Sequence, residues 1–290
     1  MAAGLERGVI GCAIRPFRGR VEAAFARAAH VRAGDLVITL SDLWARPHPY
    51  AIAWSRFAEV AAAPGEAVEL SAEGLTVGRV RALLGPMRTY TPREGAPRWV
   101  GHAVLARAVA QARATVAGLR WRGGLHAWLA PDLGAADRWS RAILEGARPG
   151  IAAAADATRA RSWGKLAEAA TQLAGLGPGL TPSGDDFLAG LLAAIRYHGT
   201  TAGHPVPQAA LDEVAWRGSA GTTTYAGFQI RCAARGLVSE PVERWLMAVH
   251  AGSNAITVRT AAVAAMGHSS GVDLLAGLVC GLEKARGWRA

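Results

Sequence analysis

Lysine is nearly missing from this chain. Only Lys165 and Lys284 occur among its 290 residues; the other thirty of its 32 basic residues are arginines, spread along the sequence. The formal charge of +10 therefore comes without the tracts of about 5–8 basic residues that mark nucleic-acid patches, and no nucleic-acid partner is expected. Cysteine is scarce as well. Cys12, Cys232 and Cys280 are odd in number and far apart, which excludes a disulfide framework and a zinc knuckle and suits a reducing compartment. No uninterrupted apolar run reaches the roughly 18 residues that a membrane span needs. The N-terminal stretch lacks a signal-peptide apolar region. The expectation is a cytoplasmic protein with no membrane partner. Disorder is excluded too, because half the residues are hydrophobic and only 19% are charged.

What is present changes character along the chain. Up to residue 97 the sequence is punctuated by Pro, Gly and Asp and carries short β-compatible runs, "DLVITL", "YAIAW", "EAVEL" and "GLTVG". One helix is expected before them, over "RVEAAFARAAHVRAG" (20–34), where Val21, Ala24, Phe25, Ala28 and Ala29 fall on one face. From residue 98 the apolar period becomes helical. The pattern predicts helices over "AADRWSRAILEGARPG", stopped by its Gly and Pro, and over 155–175, with further helices ending in glycine to the C-terminus. The expected fold is α+β: a small strand-rich, sandwich- or barrel-like domain at 1–97, then a compact all-helical domain at 98–290.

One motif appears twice. "SGDDFLAGLLAAI" (183–195) and "SGVDLLAGLVCGL" (270–282) share Ser, Gly, Asp, Leu, Ala, Gly and Leu at seven of their first nine positions. Two similar helix starts are expected, paired about a local pseudo-twofold. In each, Ser with Asp three residues on reads as an acidic capping box, which makes Asp186 and Asp273 structural caps. Gly190 and Gly277 lie mid-helix, where Gly costs about 1 kcal/mol relative to Ala; close contact between the two copies would require them. The copies also differ. The first has "GLGPGLTP" ahead of it, and Asp185 where the second has Val272; the second has His268 where the first has Thr181.

A Gly-rich loop feeding a helix N-terminus presents backbone N–H groups to an anion. Asp185 and Asp186 would repel a bare phosphate or carboxylate, so the ligand should carry Mg²⁺, be cationic in part, or donate amide or hydroxyl protons. The phosphate loop with Lys-Ser/Thr is absent, and the dinucleotide fingerprint fails because Leu180 holds its third glycine position. "GHSSG" follows a helix, not the strand that a nucleophile elbow requires. His268 at that junction is the candidate general base.

These motifs, with a strand-rich part ahead of a helical one, resemble a bacterial domain-of-unknown-function family that includes the AllH-like subunit of oxamate carbamoyltransferase. The resemblance implies a role in purine or related nitrogen catabolism. It also implies protein partners, one similar to acyl-CoA synthetases and one a second large subunit, which together exchange carbamoyl phosphate plus oxamate with oxalurate plus phosphate. It carries no catalytic assignment. The site residues therefore rest on the motifs: Asp185 and His268 as catalytic candidates, with Asp185 either binding Mg²⁺ or accepting an amide proton. Gly177, Gly179, Thr181, Ser183, Gly184, Thr223 and Ser270 are the candidates for binding a small carbamoyl-, carboxylate- or phosphate-bearing ligand. No other cofactor is expected. The alternative is a non-catalytic assembly subunit without a small-molecule site.

Overall fold

The computed structural model describes residues 8–288 apart from 44–45, 83, 85, 96–98, 100, 121–122 and 134–136. The chain divides into two compact units, residues 1–92 with 238–240, and 93–237 with 241–290. Strands fill the first and helices the second, an α+β protein.

The first unit is one half-barrel sheet. Its strands are β1 (Gly8–Gly11), β2 (Phe17–Ala24), β3 (Ala28–Ala33), β4 (Leu36–Ser41), β5 (Ala51–Ala53), β6 (Ala67–Ser71), β7 (Gly74–Val77), β8 (Val80–Ala82) and β9 (Met87–Tyr90). They lie in the order β8-β7-β6-β2-β3-β4-β5-β1-β9. Among the described residues, only β1–β9 and β4–β5 pair in parallel. Alternation builds the core: Val21, Val31, Ile38, Leu40, Ile52, Val68 and Leu75 are buried together, and Trp54 meets Phe57 edge-to-face at 5.5 Å.

The helix expected over 20–34 does not form. Those residues belong to the β2–β3 hairpin, whose turn is closed by the Phe25 N–H donating to the Ala28 carbonyl at 2.7 Å. The helical reading placed Phe25 on a buried face, yet Phe25 is 53% exposed. Arg18, Arg20 and Glu22 alternate with Gly19 and Val21, and that period of two decides the conformation.

The second unit contains α1 (His102–Ala117), α2 (His126–Leu129), α3 (Arg138–Arg159), α4 (Trp163–Leu173), α5 (Ser183–Thr201), α6 (Gln208–Ser219), α7 (Thr224–Ala234), α8 (Glu240–Ala251), α9 (Ile256–Ala264) and α10 (Ser270–Ala285). Two helix boundaries differ from expectation. Pro149 and Gly150 do not stop α3, which runs through both to Arg159. A Cβ on Gly150 would lie 2.8 Å from Leu173 Cγ, so this glycine permits close approach to α4. Residues 155–175 form two helices, parted where Arg161 takes a left-handed φ of 53°. Cys232 and Cys280 are buried small hydrophobes. No described helix is long and apolar enough to cross a membrane.

Candidate functional site at the paired helix starts

α5 and α10 touch through backbone. A Cβ on Gly190 would meet the Leu274 carbonyl oxygen at 2.1 Å and the Leu278 nitrogen at 2.9 Å. A Cβ on Gly277 would meet the Phe187 carbonyl oxygen at 1.9 Å and the Leu191 nitrogen at 2.7 Å. The two sets correspond position for position in the repeat, so the contact is a local twofold in which each glycine receives the other helix. Gly184 and Gly271 serve the flanks in the same way: added Cβ atoms would lie 2.0 Å from the Leu173 and Val263 carbonyl oxygens respectively. The reason for Gly184 is thus helix packing at the α4 terminus.

The approach brings the two helix starts together. Thr181 Oγ1 and Ser270 Oγ are 2.8 Å apart. Neither start is closed by a side-chain cap: Pro182 and Ser269 occupy the N-cap positions, and Ser183 already lies inside the first turn of α5. The carboxylates assigned to capping reach across the pair. Asp186 faces the hydroxyls of Ser270 and Thr181, and Asp273 faces those of Ser183 and Ser269. Asp273 Oδ1 also accepts the Leu125 N–H at 2.6 Å. Each aspartate is therefore satisfied in part by the serine that opens the other helix. The capping expectation treated each start as isolated, whereas both carboxylates are buried in their joint.

Burial sets their protonation. It pushes Asp186 well above the usual carboxylate range, and the nearby Asp273 charge adds to the rise. Asp273 is pushed up to about 6 by burial, against the Leu125 N–H. Among the described residues, Oδ2 of each has no hydrogen-bond partner.

Asp185 has a different task. Its side chain is also buried; Oδ1 accepts the Gly175 N–H at 2.9 Å and Oδ2 accepts the Thr222 hydroxyl. It ties the α4–α5 loop to the start of the segment before α7. Burial raises its pKa, while those two donors pull it down. Both oxygens are occupied, and among the described residues no group of three or more His, Cys, Asp or Glu side chains converges on one point. These residues do not fit a Mg²⁺ site. Sequence reasoning missed Thr222 and Gly175 as its partners, although the "GTTTYAG" run held the signal.

Above this buried layer lies the loop. Gly175, Gly177 and Gly179 have φ of 72°, 116° and 95°, which β-carbon-bearing residues rarely adopt. A Cβ at Gly177 would press on the Ser183 nitrogen at 2.9 Å, whereas Gly179 is exposed and faces open space. Thr223 caps α7 by accepting the Ala226 N–H at 3.1 Å, and its hydroxyl donates to the Leu180 carbonyl at 2.6 Å. His268 is exposed in the turn before α10. Thr181, Ser183, Ser270, Asp186 and Asp273 are thus brought together, with Asp185 and Thr223 fastening the loop beside them.

Residues 173–282 match the family model described as oxamate carbamoyltransferase subunit AllH. That segment of the chain is AllH-like. It opens at the last residue of α4 and closes inside α10, so the AllH-like segment encloses the loop, both helix starts and the glycines that join them. No solved structure matches the chain.

Proposed function

We propose that this chain is the AllH-type subunit of a carbamoyl-transferring complex, and that the loop of Gly177 and Gly179, with Thr223 and His268, receives a small carbamoyl-, carboxylate- or phosphate-bearing ligand. The observation that carries the reading is the span of the AllH-like match, which encloses both helix starts. A subunit of that description works within a multi-subunit assembly. The burial of the aspartates supports the ligand class. The sequence set two carboxylates where an anion should sit, but Asp185 and Asp186 turn into the protein and are held by donors. The positive end of the α5 dipole is then not offset by two exposed negative charges. The Gly184 N–H is taken by the Leu176 carbonyl and those of Asp185 and Asp186 by the Pro182 carbonyl, so a ligand would meet the dipole through the loop rather than through these N–H groups. His268 is the group able to hold or move a proton at the rim.

A thermal-shift panel with carbamoyl phosphate, oxamate, oxalurate and phosphate tests this. A ligand at 100 times its Kd adds about 2.7 kcal/mol of stability. The shift should disappear in His268→Gln. Asp185→Ala is a poorer probe, because removing a buried, doubly bonded carboxylate costs stability by itself. No shift with any ligand would favour the second reading, an assembly subunit. Trp139 and Trp216, 68% and 64% exposed on the helical unit, are the observation that keeps that reading open.

A further inference from the structure

Two buried carboxylates at the α5–α10 joint lack a counter-charge. Asp186 is 7% exposed and Asp273 is fully buried. Among the described residues neither forms an ion pair with Arg, Lys or His, although the chain carries 32 Lys and Arg. Their Oδ2 atoms are both buried and, among the described residues, both without a hydrogen-bond partner. Asp185, next in sequence, differs in having both oxygens occupied. Buried charges are ordinarily paired or bound to a metal. Protonation removes the charge but leaves a buried O–H without a partner at the same atom. Neither state of these two carboxylates is satisfied by the protein alone.

The repeat brings both groups to one place. Asp186 and Asp273 lie one helical turn before Gly190 and Gly277, on the faces by which α5 and α10 touch. Each carboxylate reaches the serine that opens the other helix, Asp186 to Ser270 and Asp273 to Ser183. Thr181 Oγ1, 2.8 Å from Ser270 Oγ, also faces Asp186, and Ser269 also faces Asp273. The local twofold thus gathers two carboxylates and four hydroxyls between two helix starts. A hydroxyl that donates to a carboxylate keeps lone pairs of its own for a cation. Gly124, at a left-handed φ of 57°, relieves the flank of Asp273: a Cβ there would lie 2.2 Å from Oδ1 and 2.6 Å from Oδ2. Among the described residues no three His, Cys, Asp or Glu side chains converge, so the hydroxyls must complete the shell. Carboxylate and hydroxyl oxygens suit a hard cation, and two carboxylates balance two positive charges.

We propose that the α5–α10 joint binds one hard divalent cation, Mg²⁺ or Ca²⁺, between Oδ2 of Asp186 and Oδ2 of Asp273, with the hydroxyls of Thr181, Ser183, Ser269 and Ser270 around it. The cation ties the two helix starts together beneath the loop. It does not depend on what the loop itself receives, and Asp185 is not among its ligands.

Calorimetric titration of the full chain, stripped with EDTA and then freed of it, tests this with MgCl2 and with CaCl2 at ionic strength matched by NaCl. Saturable binding of one cation per chain is expected, and the tighter of the two names the metal. Asp186→Asn and Asp273→Asn should each weaken it at least tenfold and abolish the rise in melting temperature that the cation gives the parent. Mn²⁺ locates the site without any substitution, which matters if a variant fails to fold. Added in small amounts to the parent chain, it should broaden the amide resonances of residues 181–187 and 269–274 before all others. Absence of saturable binding, equal affinity in a folded Asp186→Asn or Asp273→Asn variant, or broadening centred elsewhere overturns the proposal. The carbamoyl-ligand panel described above, repeated in EDTA, reports on the loop alone, so the two readings can fail separately.

Discussion

α5 and α10 are two copies of one helix start in different surroundings. Both place Ser, Gly and Asp at the opening, both bury that Asp against the other's serine, and both spend a mid-helix glycine on backbone contact. Beyond this shared joint they diverge. α5 receives a loop with three left-handed glycines and anchors it through Asp185; α10 has the buried Val272 at that place and the exposed His268 before it. What the copies share is therefore architectural, and what only one has is where a ligand-specific role can lie. The joint makes a rigid base, and the unmatched loop and histidine stand on it.

The largest effect should come from breaking the joint. Gly190→Ala and Gly277→Ala each drive a methyl into backbone atoms that cannot rotate away. The helices must separate, and the buried Phe187, Leu188, Leu191, Leu275 and Leu278 lose packing with them. Overpacking costs about 1–3 kcal/mol where side chains can adjust, and here they cannot, so a loss of about 3 kcal/mol or more is expected for each. Urea denaturation gives the values. Clearly unequal losses would refute the local twofold.

Next is the residue that distinguishes the copies. Asp185→Val writes the second copy's residue into the first. It strands the Gly175 N–H and the Thr222 hydroxyl, at a cost of about 2 kcal/mol. The loop should loosen while the joint persists, seen as faster amide exchange at 175–182 with α10 still protected. Protection unchanged at the loop would mean that Asp185 is not its anchor.

The comparison also has a pH signature. Asp273 has its folded pKa raised to about 6, above the unfolded value, so its contribution is fully present below about pH 4 and lost as pH rises through 6. Histidines at the far end of α5 act in the opposite sense. His198 Nδ1 lies 3.2 Å from His250 Nε2, both rings are buried, and burial lowers them to about 3 and 4. Their contribution is present above about pH 6.5 and lost as pH falls toward those values. Between pH 4 and 6.5 the two terms offset each other. Asp273→Asn removes one of them, so the variant should lose stability on acidification more steeply than the parent. Thermal melts across that window decide it; parallel curves would place the Asp273 proton elsewhere.

Much of this was legible without coordinates. The runs at 35–40, 50–54, 66–70 and 74–78 became β4 to β7, and the duplicated SGxD start with its unexplained glycines foretold the close pairing of α5 and α10. The errors came where local and long-range signals compete. Alanines at 23–29 satisfy helical spacing as well as strand spacing, and only the arginine alternation around them points to the hairpin. Pro149 reads as a stop, but Gly150 gains contact with Leu173 by letting α3 continue. The roles of Asp186 and Asp273 were hidden for a deeper reason. An acidic residue in a first turn is a sufficient cap taken alone, and only the neighbouring start supplies the serines that claim it. His198 and His250 gave no sequence signal, since nothing local relates residues on separate helices.

The smallest predicted effect separates two meanings of a helical glycine. Gly164 lies in the first turn of α4, is exposed, and has no atom within 4 Å of where a Cβ would sit. By sequence it resembles Gly190, a glycine within an apolar helical pattern. By structure it has no contact to protect, so it contributes only the backbone entropy it costs. Gly164→Ala should therefore stabilise the protein by about 0.5–1 kcal/mol, opposite in sign to Gly190→Ala. Chemical denaturation of the two variants side by side measures the difference. A destabilised Gly164→Ala would mean that another surface packs against α4, as an assembly partner would; a stabilised one leaves close packing, rather than helix position, as what makes Gly190 and Gly277 indispensable.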